Sequence, residues 1–180
     1  MMARYIPNII TALRLIAVPP AIYFLSIQSY ANALWIFAFA GVSDGVDGYL
    51  ARRFSWQSHW GRIMDPLADK VLVVSTAAML AWQALVPLWL FVLLLFRDVM
   101  LLAGSALYHW FKGPFRVTPT IWGKLSTFFQ ILLLVAIMAH EAYGLLSDLK
   151  VMLLMLLCGL FTLISGAHYF TTWIRKAAND

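Results

Sequence analysis

The sequence predicts an all-α polytopic integral membrane protein with six transmembrane helices. Three observations predict it. Of 180 residues, 63% are hydrophobic and 12% charged, against about half and about a quarter in a soluble domain. Mean hydropathy is +0.82, which also excludes disorder, since a disordered chain needs low hydrophobicity and high net charge. The apolar residues fall into long unbroken runs, and the basic residues flank them. A span takes about 20 residues, so six would use about 120 and leave no room for a soluble domain. The net charge of +5 does not indicate nucleic acid, because no basic face on a soluble surface is present to bind it.

The expected spans are Ile6–Ile27, Ala31–Tyr49, Leu67–Leu85, Leu88–Trp110, Ile121–Ala139 and Val151–Trp173. Helices satisfy every backbone group within one segment, as lipid demands. A β-barrel would alternate apolar and polar residues in segments of about ten, and these Leu-rich runs do not. The first stretch reads as a retained span rather than a signal peptide. Arg14 interrupts it, and Pro19-Pro20 stands where small residues would mark cleavage. Arg52, Arg53 and Arg62 follow span two, and Lys112, Arg116 and Lys124 follow span four. Arg4 precedes span one, and Arg175 and Lys176 follow span six. The opposite links carry only Lys150 among them. Positive charge stays inside, so both termini and both basic loops are expected on the cytoplasmic side. Cys158, the only cysteine, sits in an apolar run and reads as packing.

Four of the eight acidic residues fall between positions 44 and 69. Asp44 and Asp47 are three apart at the cytoplasmic end of span two, and Asp65 and Asp69 are four apart at the start of span three. Each pair shares a helix face. A short connection makes the two helices antiparallel neighbours, so all four carboxylates can converge near the membrane surface. Like charges held together need a cation. An all-oxygen donor set suits Mg²⁺ or Mn²⁺, or Ca²⁺, better than Zn²⁺. Two metals held by carboxylates clamp a phosphate and stabilise both attacking and leaving oxygens. Gly45, Gly48, Ala51 and Gly61 leave room for a nucleotide to approach the backbone. The bland alternative is that the acids cap helices and balance the loop, with Asp65 an N-cap ahead of Pro66. Ionisable residues within spans are functional by default, which favours the first reading.

Asp44-x2-Asp47-Gly48-x2-Ala51-Arg52-x8-Gly61-x3-Asp65-x3-Asp69 resembles the signature of the CDP-alcohol phosphotransferases, with eight residues fixed across 26 positions. These are six-helix membrane enzymes of phospholipid synthesis, usually homodimers. The resemblance covers residues 1–180 as one domain. It implies two Mg²⁺ or Mn²⁺ ions on Asp44, Asp47, Asp65 and Asp69, with Asp69 also the catalytic base that deprotonates an acceptor hydroxyl. It implies that Gly48, Arg52 and Gly61 hold the cytidine diphosphate of CDP-diacylglycerol, and that CMP leaves.

Pro7-Asn8-x2-Thr11-x2-Arg14 puts Asn8, Thr11 and Arg14 on one helical face, able to meet the diphosphate or an anionic acceptor. It looks like the opening of the phosphatidylglycerophosphate synthase and cardiolipin synthase branch. The bland alternative is an N-cap Asn8 and a snorkelling Arg14. Arg97-Asp98 interrupts the apolar run Phe91–Leu102. Adjacent helix residues do not face each other, so each is expected to find a separate partner. The run Arg97-Asp98-Val-Met-Leu-Leu, followed by Pro119-Thr120-x2-Gly123-Lys124-x2-Thr127, is similar to cardiolipin synthases. Phosphatidylglycerophosphate synthases have a Glu after that Arg and further basic residues beyond it. Here Ser105-Ala-Leu-Tyr108-His109-Trp110 stands in that place.

The expected acceptor is therefore phosphatidylglycerol, giving cardiolipin, with glycerol 3-phosphate as the alternative. Arg14, Arg97, Arg116 and Lys124 are the candidate acceptor-binding residues. The resemblance places the protein in the bacterial inner membrane as a homodimer, with no nucleic-acid partner. A divalent-cation transporter would hold its carboxylates near the midplane rather than at one edge. A silent scaffold of the same fold would have no reason to keep all four Asp.

Overall fold

In a computed structural model the chain is described for residues 6–54, 61–112 and 120–179, with side chains described for 14–43, 70–104 and 120–172. Among these residues there are six α-helices and no strand. They are α1 (Ile6–Ser26), α2 (Tyr30–Phe54), α3 (Gly61–Trp82), α4 (Leu88–Lys112), α5 (Ile121–Tyr143) and α6 (Asp148–Asn179). Every expected span lies largely within one of them. The helices overrun the spans where polar residues extend beyond the apolar run: α2 reaches Phe54, α3 begins at Gly61 and α6 reaches Asn179. Asp65 accordingly lies inside α3 rather than capping it, and Asn8 lies inside the first turn of α1. α1 passes through Pro19 and Pro20 without ending, although each removes an amide donor from the helix ladder.

The chain divides into two units. The first comprises 1–85 and 137–145, and in it α1 packs against both α2 and α3. Ala21, Leu25, Ala33, Phe37, Ala40, Leu72, Val73, Ala77 and Leu80 are buried there. Small residues at several of these positions let helix backbones approach closely, as membrane helices do. The second unit comprises 86–136 and 146–180, where α4 packs against α6. Its core is built from Leu90, Leu94, Leu133, Leu134 and Cys158, with Phe129 stacked on Phe161 at 4.5 Å.

Two helical segments, Ile121–Tyr143 and Asp148–Thr172, are long and apolar enough among the described residues to cross a membrane. The second exposes Met152, Leu153, Leu156, Leu160, Leu163 and Phe170. A face of that kind, with serine and threonine turned inward, is suited to lipid rather than water.

Candidate active site

The geometry of the first unit begins at the end opposite the acidic cluster. α1 ends in a left-handed Gln28 (φ 58°), with Gln28 N–H donating to Leu25 O at 2.9 Å and Ser29 N–H to Phe24 O at 2.8 Å. α3 ends in the same motif, with Ala84 (φ 61°) donating to Ala81 O and Leu85 to Leu80 O, both at 3.0 Å. Both are Schellman caps, which satisfy the last carbonyls of a helix. Gln83 then joins three helix ends. Its Nε2 donates to Leu25 O at 2.6 Å, and its Oε1 accepts from the Tyr30 hydroxyl at 3.2 Å. Burial, and then the Glu141 carboxylate, push the Tyr30 hydroxyl above its ordinary pKa, so it keeps the proton that it donates.

Counting away from this tie shows what the helices align. Thr11 on α1, Asp44 on α2 and Asp69 on α3 each lie 14 residues from Leu25, Tyr30 and Gln83 respectively. At helical rise that is about 21 Å in each case. Asn8 and Asp47 lie 17 residues out and Asp65 lies 18, about one turn further. The four Asp positions and the Asn8–Thr11 face therefore occupy one end of the unit at matching depth. The side chains of Asn8, Thr11, Asp44, Asp47, Gly48, Arg52, Gly61, Asp65 and Asp69 lie outside the described residues, and so does Arg116. Among the described residues no group of three His, Cys, Asp or Glu could hold a metal ion. The four-aspartate set expected from the sequence lies outside that description, and carboxylate oxygens are the donor type that suits a hard divalent cation.

Arg14 is described, and it is 5% exposed. It does not snorkel: three residues nearer the tie than Thr11, its guanidinium is inside the unit. A buried guanidinium is not a topology marker, which would keep its charge in water.

The second unit contains a polar cluster that the sequence only partly foretells. Arg97 is 5% exposed and Asp98 3%, in the middle of α4. Contrary to the expectation of separate partners, Arg97 Nη1 bonds Asp98 Oδ1 directly at 2.8 Å. The backbone rule concerns where neighbouring Cβ atoms point, and the long arginine stem curls far enough to defeat it. The rest of the guanidinium reaches the other two helices. Nε and Nη2 donate to Ser165 Oγ at 3.4 and 3.2 Å, and Nη2 to Gly123 O at 3.2 Å.

The start of α5 is held from further sides. Thr120 is its N-cap, with Oγ1 accepting from Gly123 N–H at 3.1 Å. The Thr120 N–H donates to the Tyr169 hydroxyl at 3.3 Å, and Thr127 Oγ1 donates to Gly123 O at 3.2 Å. Next to Gly123, Lys124 is exposed. One turn further on, Ser126 and Thr162 hydroxyls bond each other at 3.1 Å. Ser165 and Tyr169 were missed in the sequence. Cys158, Thr162, Ser165 and Tyr169 do recur at the spacing of one buried face along α6, a polar stripe in an apolar helix.

The sequence profile of the CDP-alcohol phosphatidyltransferases matches residues 4–174. The chain is 39% identical over 131 residues to a cardiolipin synthase (CMP-forming) of Streptomyces coelicolor, covering 68% of this chain and 60% of that protein. It is 31% identical over 172 residues to a CDP-diacylglycerol–glycerol-3-phosphate 3-phosphatidyltransferase of Aquifex aeolicus, covering 94% of this chain and 92% of that protein. To a cardiolipin synthase (CMP-forming) of Rattus norvegicus it is 30% identical over 187 residues, covering 95% of this chain and 62% of that protein. The match thus spans under two thirds of two of these relatives and nearly all of the third. With the acidic pattern carried on two helices that pack on a third, the chain belongs to the CDP-alcohol phosphatidyltransferase family, a family of transferases.

Proposed function

We propose that the protein transfers a phosphatidyl group from CDP-diacylglycerol to an alcohol, releasing CMP, and that the alcohol is phosphatidylglycerol. One observation carries the reading. The complete pattern from Asp44 to Asp69 lies on α2 and α3, both packed on α1, with Asp44 and Asp69 equally far from the Gln83 tie. Asp69 takes the proton of the acceptor hydroxyl. That oxygen then bonds to the phosphorus bearing diacylglycerol, and the bond from this phosphorus to the CMP oxygen breaks. Arg52 offsets the charge on departing CMP, while Gly48, Gly61, Asn8 and Thr11 hold the cytidine diphosphate. Two Mg²⁺ or Mn²⁺ ions held by Asp44, Asp47, Asp65 and Asp69 would supply charge neutralisation of the diphosphate. Positioning and electrostatics supply most of the catalysis in phosphoryl transfer.

Six spans, a homodimer, a bacterial inner-membrane location and a cytoplasmic site belong to the same reading. A site at one membrane edge keeps the nucleotide in water while the acyl chains stay in lipid. Phosphatidylglycerol is favoured by the segment after Arg97-Asp98, where Ser105 to Trp110 holds no further Arg or Lys. Glycerol 3-phosphate is the second reading, supported by likeness to the Aquifex enzyme along 94% of this chain.

The test is CMP release by purified protein with CDP-diacylglycerol and Mg²⁺ or Mn²⁺, comparing the two acceptors. Release with phosphatidylglycerol alone is expected. Release with glycerol 3-phosphate alone would move the protein to the second reading, and release with neither would remove both. Asp69→Asn should abolish turnover in a folded protein, and wild-type turnover by that variant would take the base role from Asp69.

A further inference from the structure

Arg97 is a candidate acceptor ligand by sequence, yet each of its three guanidinium nitrogens already has a protein partner in Asp98, Ser165 or the Gly123 carbonyl. A phosphate reaching Arg97 would have to compete with these contacts inside a buried cluster. The first turn of α5, by contrast, is fixed at two successive points. Tyr169 takes the Thr120 amide, and Arg97 takes the Gly123 carbonyl. Position 123 admits no larger residue without a shift. A Cβ there would meet the Tyr169 hydroxyl at 3.0 Å and Arg97 Nη2 at 3.3 Å. Lys124, whose amide donates to Thr120 O at 3.1 Å, is exposed and follows directly.

We propose that Arg97 is a positioning residue: it pins the Thr120–Gly123 turn so that Lys124 meets the phosphate of the acceptor. The role rests on the transfer reading above. A lysine ammonium is a point charge on a flexible stem, so its reach is set by the backbone that carries it. A buried ion pair is also weak evidence for stability alone, since apolar residues of similar volume often serve the fold as well. The ligand chemistry is a phosphate, as monoester in glycerol 3-phosphate or as diester in phosphatidylglycerol.

The test uses Arg97→Lys, Ser165→Ala, Gly123→Ala and Lys124→Met in the full chain, reading KM for the acceptor and for CDP-diacylglycerol from CMP release. All four should raise the acceptor KM about tenfold, the effect of losing roughly 1.4 kcal/mol. The CDP-diacylglycerol KM should stay unchanged. Arg97→Lys combined with Lys124→Met should be no worse than Lys124→Met alone, because both act through one group. Amide exchange at Gly123 and Lys124 should quicken in the first three variants whatever the activity.

Ser165→Ala keeps the test informative if Arg97→Lys fails to fold. If Arg97→Lys alone raises the acceptor KM while Gly123→Ala and Lys124→Met do not, Arg97 binds the acceptor itself and the proposal falls. If both KM values move together, or only the unfolding temperature falls, the cluster merely holds the fold and the proposal falls too. Wild-type protein that releases no CMP with either acceptor would overturn the transfer reading, and this role with it. The KM effect is expected with phosphatidylglycerol, the proposed acceptor. If glycerol 3-phosphate also turns over, its KM should rise equally, and an unchanged glycerol 3-phosphate KM would overturn the assignment of Lys124 to the shared phosphate.

Discussion

At the scale of single residues, the Arg97–Asp98 pair carries the steepest energetic consequence. Removing one member of a buried pair leaves the other charge uncompensated, a loss of about 3–5 kcal/mol. Asp98→Asn should therefore lower the unfolding midpoint in detergent far more than Ser126→Ala. The Ser126 change breaks one hydroxyl contact worth about 1 kcal/mol. Equal midpoints for the two variants would show that the pair contributes little. The pair itself was legible, because charges inside an apolar run stand out. Its partners were not. Ser165 lies 68 residues away on α6, and serines in membrane helices are common enough to pass as packing. Arg14 teaches the converse lesson: its place on the Asn8–Thr11 face was readable, but only packing decides between a buried arginine and a snorkelling one.

At the scale of elements, the helix ends are the informative places. Ala84 adopts a left-handed conformation without being glycine, while Gly144 supplies the same conformation after α5, donating to His140 O at 2.8 Å. Ala84→Gly should stabilise by about 0.5–1 kcal/mol, the left-handed strain relieved less the added entropy of the unfolded glycine. Thermal unfolding checks it, and a destabilised variant would locate the strain elsewhere.

Gln83→Leu removes both contacts of the tie and should cost about 1–3 kcal/mol, as two hydrogen bonds worth about 0.5–1.5 kcal/mol each, while the Leu25 carbonyl keeps the Gln28 amide. The Tyr30 contribution has a pH sign. A hydroxyl raised in the folded state contributes fully below its unfolded value near 10 and loses that contribution as pH rises through the folded value. Wild-type stability should fall faster above pH 10 than that of Tyr30→Phe. The helices were legible because apolar runs dictate them. Their ends were displaced where polar residues continue the helix, as in α3 between Gly61 and Leu67.

At the scale of the molecule, the alternation of links rich in Arg and Lys with links that carry only Lys150 predicts two sides. Cys158 is fully buried, so a cysteine introduced elsewhere can be read against a quiet background. Cysteines at Gln28, Ala84 and Gly144 should label from the outer face of intact cells, and cysteines at Arg53 and Lys112 only after permeabilisation. Labelling of both groups from outside would break the six-span arrangement. The proposed metal centre rests on the spacing of four aspartates, since a helix turns spacing into a shared face. The polar cluster around Arg97 was not, because it is assembled by three helices and no spacing along one of them encodes it.

The tie at Gln83 has a consequence for how the sequence can drift. Its donor bond ends on the main-chain oxygen of residue 25, which every amino acid possesses, whereas at 83 the side-chain amide itself does the joining. Two positions in one contact thus answer to different rules. Position 25 is constrained only in bulk and polarity, being buried, while position 83 is constrained in chemistry. Substitutions that keep the packing volume should pass freely at the first, and at the second even a shape-matched apolar residue would let three helix ends slide, shifting the depth at which Asp44 and Asp69 are presented.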